Sequence, residues 1–342
     1  TIIPQFNNLQ NRIDTMKEKR ADYLFMIEQA TKAPSGHNTQ PWLFHICEDS
    51  IEIHPDNRKT LHVVDRNRRE MFVSLGCATE NLCIAAGSIG YASKVHVSEE
   101  GIISIELHSV DNQKKTLLSG QITRRQTNRS IYNGKQIPEK VIRELLTLEK
   151  EEYIGIYCWQ KQSIEFNKIR DYVLAGNKIQ MSDSRFKNEL KSWMRFNKKD
   201  EQQTLDGLSY AVFGAPNLPR WLSRLIMGAC LTPGMQNKSD EKKVNSSSHV
   251  VLFTVENDSI PEWIQLGRTL EHFLLKTTET GIATAFINQP CELKVLAEQM
   301  QCEVIHQTGK EKRIPVVLLR MGYAKAMPYS PRKERNEVII SE

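Results

Sequence analysis

Between Glu70 and Gly90 the residues Phe72, Leu75, Thr79, Leu82, Ala86 and Ile89 return every three or four positions, the period of one helix face. The same segment carries Gly76, Ala78, Ala85, Ala86 and Gly87. Small side chains let a second helix approach to backbone distance, so the segment predicts a helix with a closely packed helical neighbour. A second apolar stripe, Trp263, Leu266, Leu270, Phe273, Leu274 and Thr277, ends at Gly281 and predicts a helix over 263–278. Strands are expected at 42–47 and 51–54 around a Glu48–Asp49–Ser50 turn, at 94–98 and 103–107, and at 249–255 and 315–321. The order helix, strands, helix, strand occurs once in each half, as a faint duplication would leave it.

Composition narrows the classes. With 342 residues, 39% hydrophobic and 25% charged, the chain can bury a sizeable core, and length alone is a soft prior for two domains. The longest apolar run is far short of the ~18–20 residues that span a bilayer, and TIIPQFNNLQNRID lacks a signal pattern, so neither membrane nor export is expected. Cysteines stand at 47, 77, 83, 158, 230, 291 and 302 with no C-x-x-C pair, which reads as reduced thiols in the cytoplasm. The nine histidines show no ligand spacing, so no metal is expected. A net charge of +5 suits an anionic ligand, and without basic–aromatic interleaving it gives no support for nucleic acid.

A helix is expected over 12–32, stopped by Pro34 and Gly36. The polar stretch 108–123 reads as a linker, a second unit starts at Arg124, and 163–195 reads as one or two helices. Residues 196–248 hold two Pro-containing loops and an apolar patch at Trp221, Leu222, Leu225, Ile226 and Met227. They read equally as a lid or as an ordinary helical insertion.

No dinucleotide, P-loop, zincin or nucleophile-elbow motif is present. The densest polar cluster is Ala33-Pro34-Ser35-Gly36-His37-Asn38-Thr39-Gln40-Pro41-Trp42. On spacing alone a self-capped turn is a better account of it than a ligand site. The pairs Arg125/Arg129 and Arg332/Lys333 could hold a dianion, yet in a chain with 46 basic residues solvated surface charge is the simpler reading. Cys77 reads as a buried inert thiol, and Trp42 and Trp263 as core.

The decapeptide resembles the signature of the nitroreductase family, FMN-dependent oxidoreductases of α+β fold. Arg125-Gln-Thr-Asn-Arg129 with Ile137-Pro138 resembles that family's Arg-x-Ser-x-Arg opening, with Thr127 for Ser. Thr280-Gly281-Ile282 with Phe286-Ile287-Asn288-Gln289 resembles its flavin-facing loop, and 314–323 with Pro331-Arg332-Lys333 its last strand and basic tail. The order of these motifs, together with Asp65–Glu70 and Ser74–Ala78, resembles the duplicated Acg-like branch. That resemblance implies a mainly antiparallel sheet flanked by helices, in two fused halves, 1–110 and 124–342, that form a monomeric pseudo-dimer keeping one flavin site. The second half would carry the lid-like insertion 196–248.

By the same resemblance, Arg125, Thr127, Arg129, Arg332 and Lys333 would surround the FMN phosphate, with Arg125 or Arg129 alternatively near the pyrimidine edge. Pro34, Ser35 and Asn38 would edge the ring, Gln40 would also belong to the cofactor site, and the backbone at Asn288 and Gln289 would face the ring's central nitrogen. The family often has Gly where Gln289 stands. The implied activity is ping-pong hydride transfer from NAD(P)H to a nitroaromatic or quinone-type acceptor, with no catalytic side chain beyond the flavin. The alternative is FMN storage or sequestration beneath a lid. Loss of FMN affinity is expected for Arg125→Ala and not for Arg66→Ala.

Overall fold

The computed structural model describes residues 3–110, 117–305 and 313–340, with side chains of the first helix from Met16 onward. Part of the expected linker, 111–116, lies outside the described residues. The first half runs α1 (Ile3–Ala30), β1 (Trp42–Ile46), β2 (Ser50–Pro55), α2 (Arg69–Ser88), β3 (Tyr91–Val97) and β4 (Ile103–Ser109). A short α3 (Ser119–Ile122) leads to α4 (Glu139–Leu146) and β5 (Gly155–Gln160). Then follow α5 (Ile164–Ser182), α6 (Ser184–Trp193), β6 (Met194–Arg195), α7 (Lys198–Thr204), β7 (Leu208–Ser209), α8 (Arg220–Cys230) and α9 (Pro233–Asn245). The chain closes with β8 (His249–Val255), α10 (Ile260–Glu279), β9 (Ala283–Phe286), α11 (Gln289–Glu292), α12 (Lys294–Met300) and β10 (Ile314–Gly322).

Two four-stranded sheets form, ordered β1-β2-β4-β3 and β5-β8-β10-β9, and every pairing in both is antiparallel. The two orders are the same topology, with α2 and α10 each joining the second strand of a sheet to the third. The faint sequence repeat is therefore a structural duplication. The sequence reading lacked β5, because Gly155–Gln160 mixes Tyr, Cys, Trp and Gln without alternation. In the first sheet a three-residue turn joins β1 to β2. In the second, β5 and β8 are separated by the whole of α5–α9. The insertion is thus longer than 196–248.

That insertion changes the second sheet. Phe166, Ile169 and Val173 of α5 pack with Val250 and Leu252 of β8 and Leu318 of β10. The alternate residues Val251, Phe253, Val255 and Leu319 join the central core. Both faces are covered, so β8 is buried at all seven positions and reads as one apolar run. The first sheet has no such cover. Ile51, Ile53, Ile103, Ile105 and Leu107 point into the core, and the residues between them face solvent.

The halves are joined by α2 and α10. A Cβ on Gly76 would sit 2.0 Å from the Ile264 carbonyl oxygen, and one on Gly267 would sit 2.1 Å from that of Val73. The helices therefore touch backbone to backbone, as the small residues of α2 predict. Tyr23, Ile27 and Ala30 of α1 are buried, whereas Met16 of the same helix is 71% exposed. The C-terminal segment returns to the first half: Phe44 N–H donates to the Val338 carbonyl, and Ile340 N–H to that of Phe44. Residues 127–128, at the start of the second half, attach to β9 of the second sheet.

Candidate functional site

A cavity of about 480 Å³ lies between the halves. The loop after α1 contributes Pro34, Ser35, Gly36 and His37, and α2 contributes Glu70, Val73, Ser74 and Cys77. Phe286, Asn288, Gln289 and Glu292 come from the β9–α11 junction, and Val316 and Val317 from β10. The insertion forms the remaining wall through Asn177, Met181, Phe186, Leu208, Phe213, Met227, Leu231 and Lys243. The volume suits a drug-sized ligand.

Arg129 enters this cavity from the segment before α4. Among the described residues it has no ion pair or hydrogen bond; its guanidinium lies 5.5 Å from the Phe213 ring centre. Burial, followed by the nearby charge of Arg320, lowers its pKa to about 10, so it is still cationic at neutral pH. His37 Nε2 is buried without a partner, and burial together with Arg129 lowers that imidazole to about 4, leaving it neutral. Gln289 Oε1 is likewise unpartnered, while its amide nitrogen donates to Asn177 and Asp240. Gly176 of α5 makes room for it, since a Cβ there would meet Gln289 Cβ at 2.8 Å.

A pair of carboxyls also faces the cavity. Asp65 accepts from the N–H groups of Glu70 and Met71, capping the start of α2 and fixing the direction of Glu70. Glu70 Oε1 accepts from Asn288 Nδ2 at 2.7 Å, and Asn288 Oδ1 accepts from Leu318 N–H. Glu292 is bonded by Gln180. Burial raises both carboxyls, Glu70 well above the usual range with Glu292 and Asp65 adding to it, which favours the protonated form. Arg69, which donates to the carbonyls of Cys291 and Pro315, offsets this only in part. The sequence reading did not select Glu70, Glu292, His37 or Lys243. Glu70 and His37 stand inside quoted motifs, but Glu292 carries no sequence signal.

The expected site residues separate into three groups. Pro34, Ser35, Arg129, Asn288 and Gln289 line the large cavity. Arg125, Thr127 and Arg332 line a second cavity of about 410 Å³ with Lys32, Tyr329 and Ser330. Asn38, Gln40 and Lys333 line neither. Asn38 Nδ2 donates to the carbonyls of Gly207 and Pro331, and its Oδ1 accepts from Arg332. Gln40 Nε2 donates to Leu205 O, and its Oε1 accepts from Lys333 N–H. Their amides therefore tie the insertion and the C-terminal segment to the first half. The Lys333 ammonium pairs with Glu337, away from both cavities.

Arg125 is only 5% exposed. Its Nε lies 3.3 Å from Glu271 Oε1, and one terminal nitrogen donates to Lys32 O. Arg332 donates to Asn38 and to the carbonyls of Lys32 and Ala33, while its buried Nε has no partner. Burial and the charge of Arg125 lower Arg332 to about 9. Cys77 donates its thiol to Gly267 O, and burial holds its pKa well up, so it is an inert thiol at the cavity wall. All seven cysteines are free. Trp42 is fully buried, and Trp263 stacks on Phe72, both as core residues.

No family model matches the chain. It is 25% identical over 332 residues to "Putative NAD(P)H nitroreductase Rv3131" of Mycobacterium tuberculosis, covering 92% of this chain and 90% of that protein. It is 23% identical over 331 residues to the protein of the same organism that carries this description with the name acg, covering 91% and 93%. Among solved structures, the FMN-dependent nitroreductase NfnB from Mycobacterium smegmatis in complex with NADPH aligns with 65% of this chain and 96% of its own, at 15% identity and a TM-score of 0.42.

Proposed function

We propose that this chain, similar over nine-tenths of its length to proteins named as NAD(P)H nitroreductases, binds FMN between its halves and acts as an NAD(P)H-dependent oxidoreductase. Its acceptor would be a nitroaromatic or a quinone-type compound. The single observation that carries the reading is the cavity itself, about 480 Å³, walled by both halves and holding the unpaired guanidinium of Arg129. A flat heterocycle needs apolar walls and a few fixed polar groups. Val73, Leu270, Phe286 and Val316 offer the former, and Ser35, His37, Arg129 and Gln289 the latter.

Bound FMN supplies the redox chemistry, taking electrons from a nicotinamide and passing them on. The residues of this chain bind and shield. Arg129 places positive charge beside the ring, and Lys243, paired with Asp240, lies on the same cavity wall. Arg129 lines the larger cavity and Arg125 and Thr127 line the smaller one; on this reading the ring lies beside Arg129 and the phosphate toward Thr127 and Arg332. The insertion keeps bulk water from the ring with Phe213, Met227 and Leu231.

The test is a titration of the purified apoprotein with FMN, followed by NADPH or NADH under exclusion of oxygen. Saturable uptake of one FMN per chain is expected, with bleaching of its visible band by the nicotinamide. Arg129→Ala should weaken FMN by about 1.5–3 kcal/mol, the worth of a charge-assisted bond, while Arg66→Ala, exposed and outside both cavities, should not change it. Absence of FMN uptake by the wild type would defeat the reading.

A second reading, flavin storage with little turnover, is favoured by how firmly the insertion is fastened. Asp206 is bound by Lys59 and Arg195, Glu189 accepts from the N–H groups of Val63 and Val64, and Asn38 and Gln40 hold 205–207. Under this reading FMN binds tightly but bleaches only slowly, whatever the nicotinamide concentration.

A further inference from the structure

The solvent-facing side of the first sheet gathers metal-binding side chains that the sequence keeps apart. His45 stands on β1, directly opposite Glu52 of β2, and His54 follows Glu52 by two residues. Residues opposite one another on a ladder, and residues two apart on a strand, share a face. The hairpin register therefore brings the three together. His54 Nε2 is 2.8 Å from Glu52 Oε2, and His45 Nδ1 is 3.5 Å from the same oxygen. The three donor atoms all lie within 4.8 Å of one another. Ligands ~2.0–2.2 Å from a tetrahedral ion stand ~3.3–3.6 Å apart; His45 and Glu52 already have that spacing, and the His54–Glu52 hydrogen bond has to open by under ~1 Å to admit an ion.

We propose that His45, Glu52 and His54 form a binding site for a divalent transition cation of the zinc class, with water completing the shell. Two imidazoles and one carboxylate suit Zn²⁺, Ni²⁺ or Cu²⁺, whereas Mg²⁺ and Ca²⁺ take oxygen ligands. The side chains are 36%, 31% and 28% exposed, which leaves an entry path from solvent. On its other face the hairpin buries Phe44, Ile51 and Ile53. An ion here staples β1 to β2 beside the loop that supplies Pro34 and Ser35 to the cavity, and it takes no part in flavin chemistry. The same sheet provides a control, since His96 and His108 lie 3.3 and 3.9 Å from Glu106 and do not converge on one oxygen.

The experiment uses full-length, untagged protein, stripped with chelator and dialysed. Zn²⁺ is titrated calorimetrically, and Co²⁺ is followed by its visible spectrum. One ion per chain and a rise in melting temperature with Zn²⁺ are expected, because an ion that binds only the folded chain stabilises it. His54→Ala and Glu52→Gln should each weaken binding at least tenfold with the far-ultraviolet dichroism unchanged, and His108→Ala should not. Lack of saturable binding, equal affinity in wild type and both ligand variants, or an equal loss in His108→Ala would each overturn the site.

Discussion

Glu271 is fully buried on α10; among the described residues its ion-pair partner is Arg125, with Arg332 a weaker attraction. Burial, only partly offset by Arg125, raises its pKa from 4.5 to about 7. The folded chain therefore holds that proton more tightly than the unfolded one. The resulting stability is complete below about pH 4.5, is lost as pH rises toward about 7, and stays level above. Urea midpoints measured across that window should fall with pH in the wild type, and Glu271→Gln should remove the part of the slope due to this group. Arg125→Ala leaves the carboxylate without its partner and should cost about 3–5 kcal/mol of stability by denaturant titration. Loss of flavin in that variant would report a damaged fold, so Arg129 is the cleaner probe of ligand charge. Nothing in the Arg125–Arg129 spelling separates the two roles, because Glu271 lies far away in sequence.

The contact between α2 and α10 rests on two glycines. Any side chain at Gly267 meets the Val73 backbone, which cannot yield without moving a helix. Gly267→Ala should therefore destabilise by about 3 kcal/mol or more, seen as a lower melting temperature or loss of soluble protein. Gly228 of α8 has nothing within 4 Å of its would-be Cβ, so Gly228→Ala should be neutral or stabilise by up to ~1 kcal/mol. Half of this contact was legible in α2, where Gly76 sits in a run of small residues. Its partner was not, because Gly267 is a lone glycine in a bulky stripe. Strand β8 was read to its observed bounds, since burial on both faces writes a continuous apolar run. Strand β5, half-buried along most of its length, writes no such pattern.

Taken whole, the molecule is two copies of one topology made unequal by an insertion. The insertion walls the cavity and covers the outer face of the second sheet, while the first sheet keeps a solvated, histidine-bearing face. We propose the halves 1–110 and 124–342 as interdependent units, each burying its central helix against the other. Expressed separately, each should lack cooperative thermal unfolding by circular dichroism, and mixing should restore it in part. Asp206→Asn weakens a carboxylate held by Lys59 and Arg195. Faster proteolysis or hydrogen exchange within 196–248, with the rest of the chain unchanged, is the expected result.

Period and composition were enough to place the two central helices and most of the strands, and family resemblance to single out the motif that lines one wall of the cavity, because those signals are local. Pro34 and Ser35 meet the cavity where the decapeptide was read. Asn38 and Gln40, in the same motif, turn instead to the insertion and the C-terminal segment, whose positions are set by contacts more than 160 residues away in the chain. The pairing of Glu70 with Glu292, the division of Arg125 from Arg129, and the meeting of His45, Glu52 and His54 arise in the same way. Each depends on which strands and helices become neighbours, and that is settled by burying the apolar faces of both halves together.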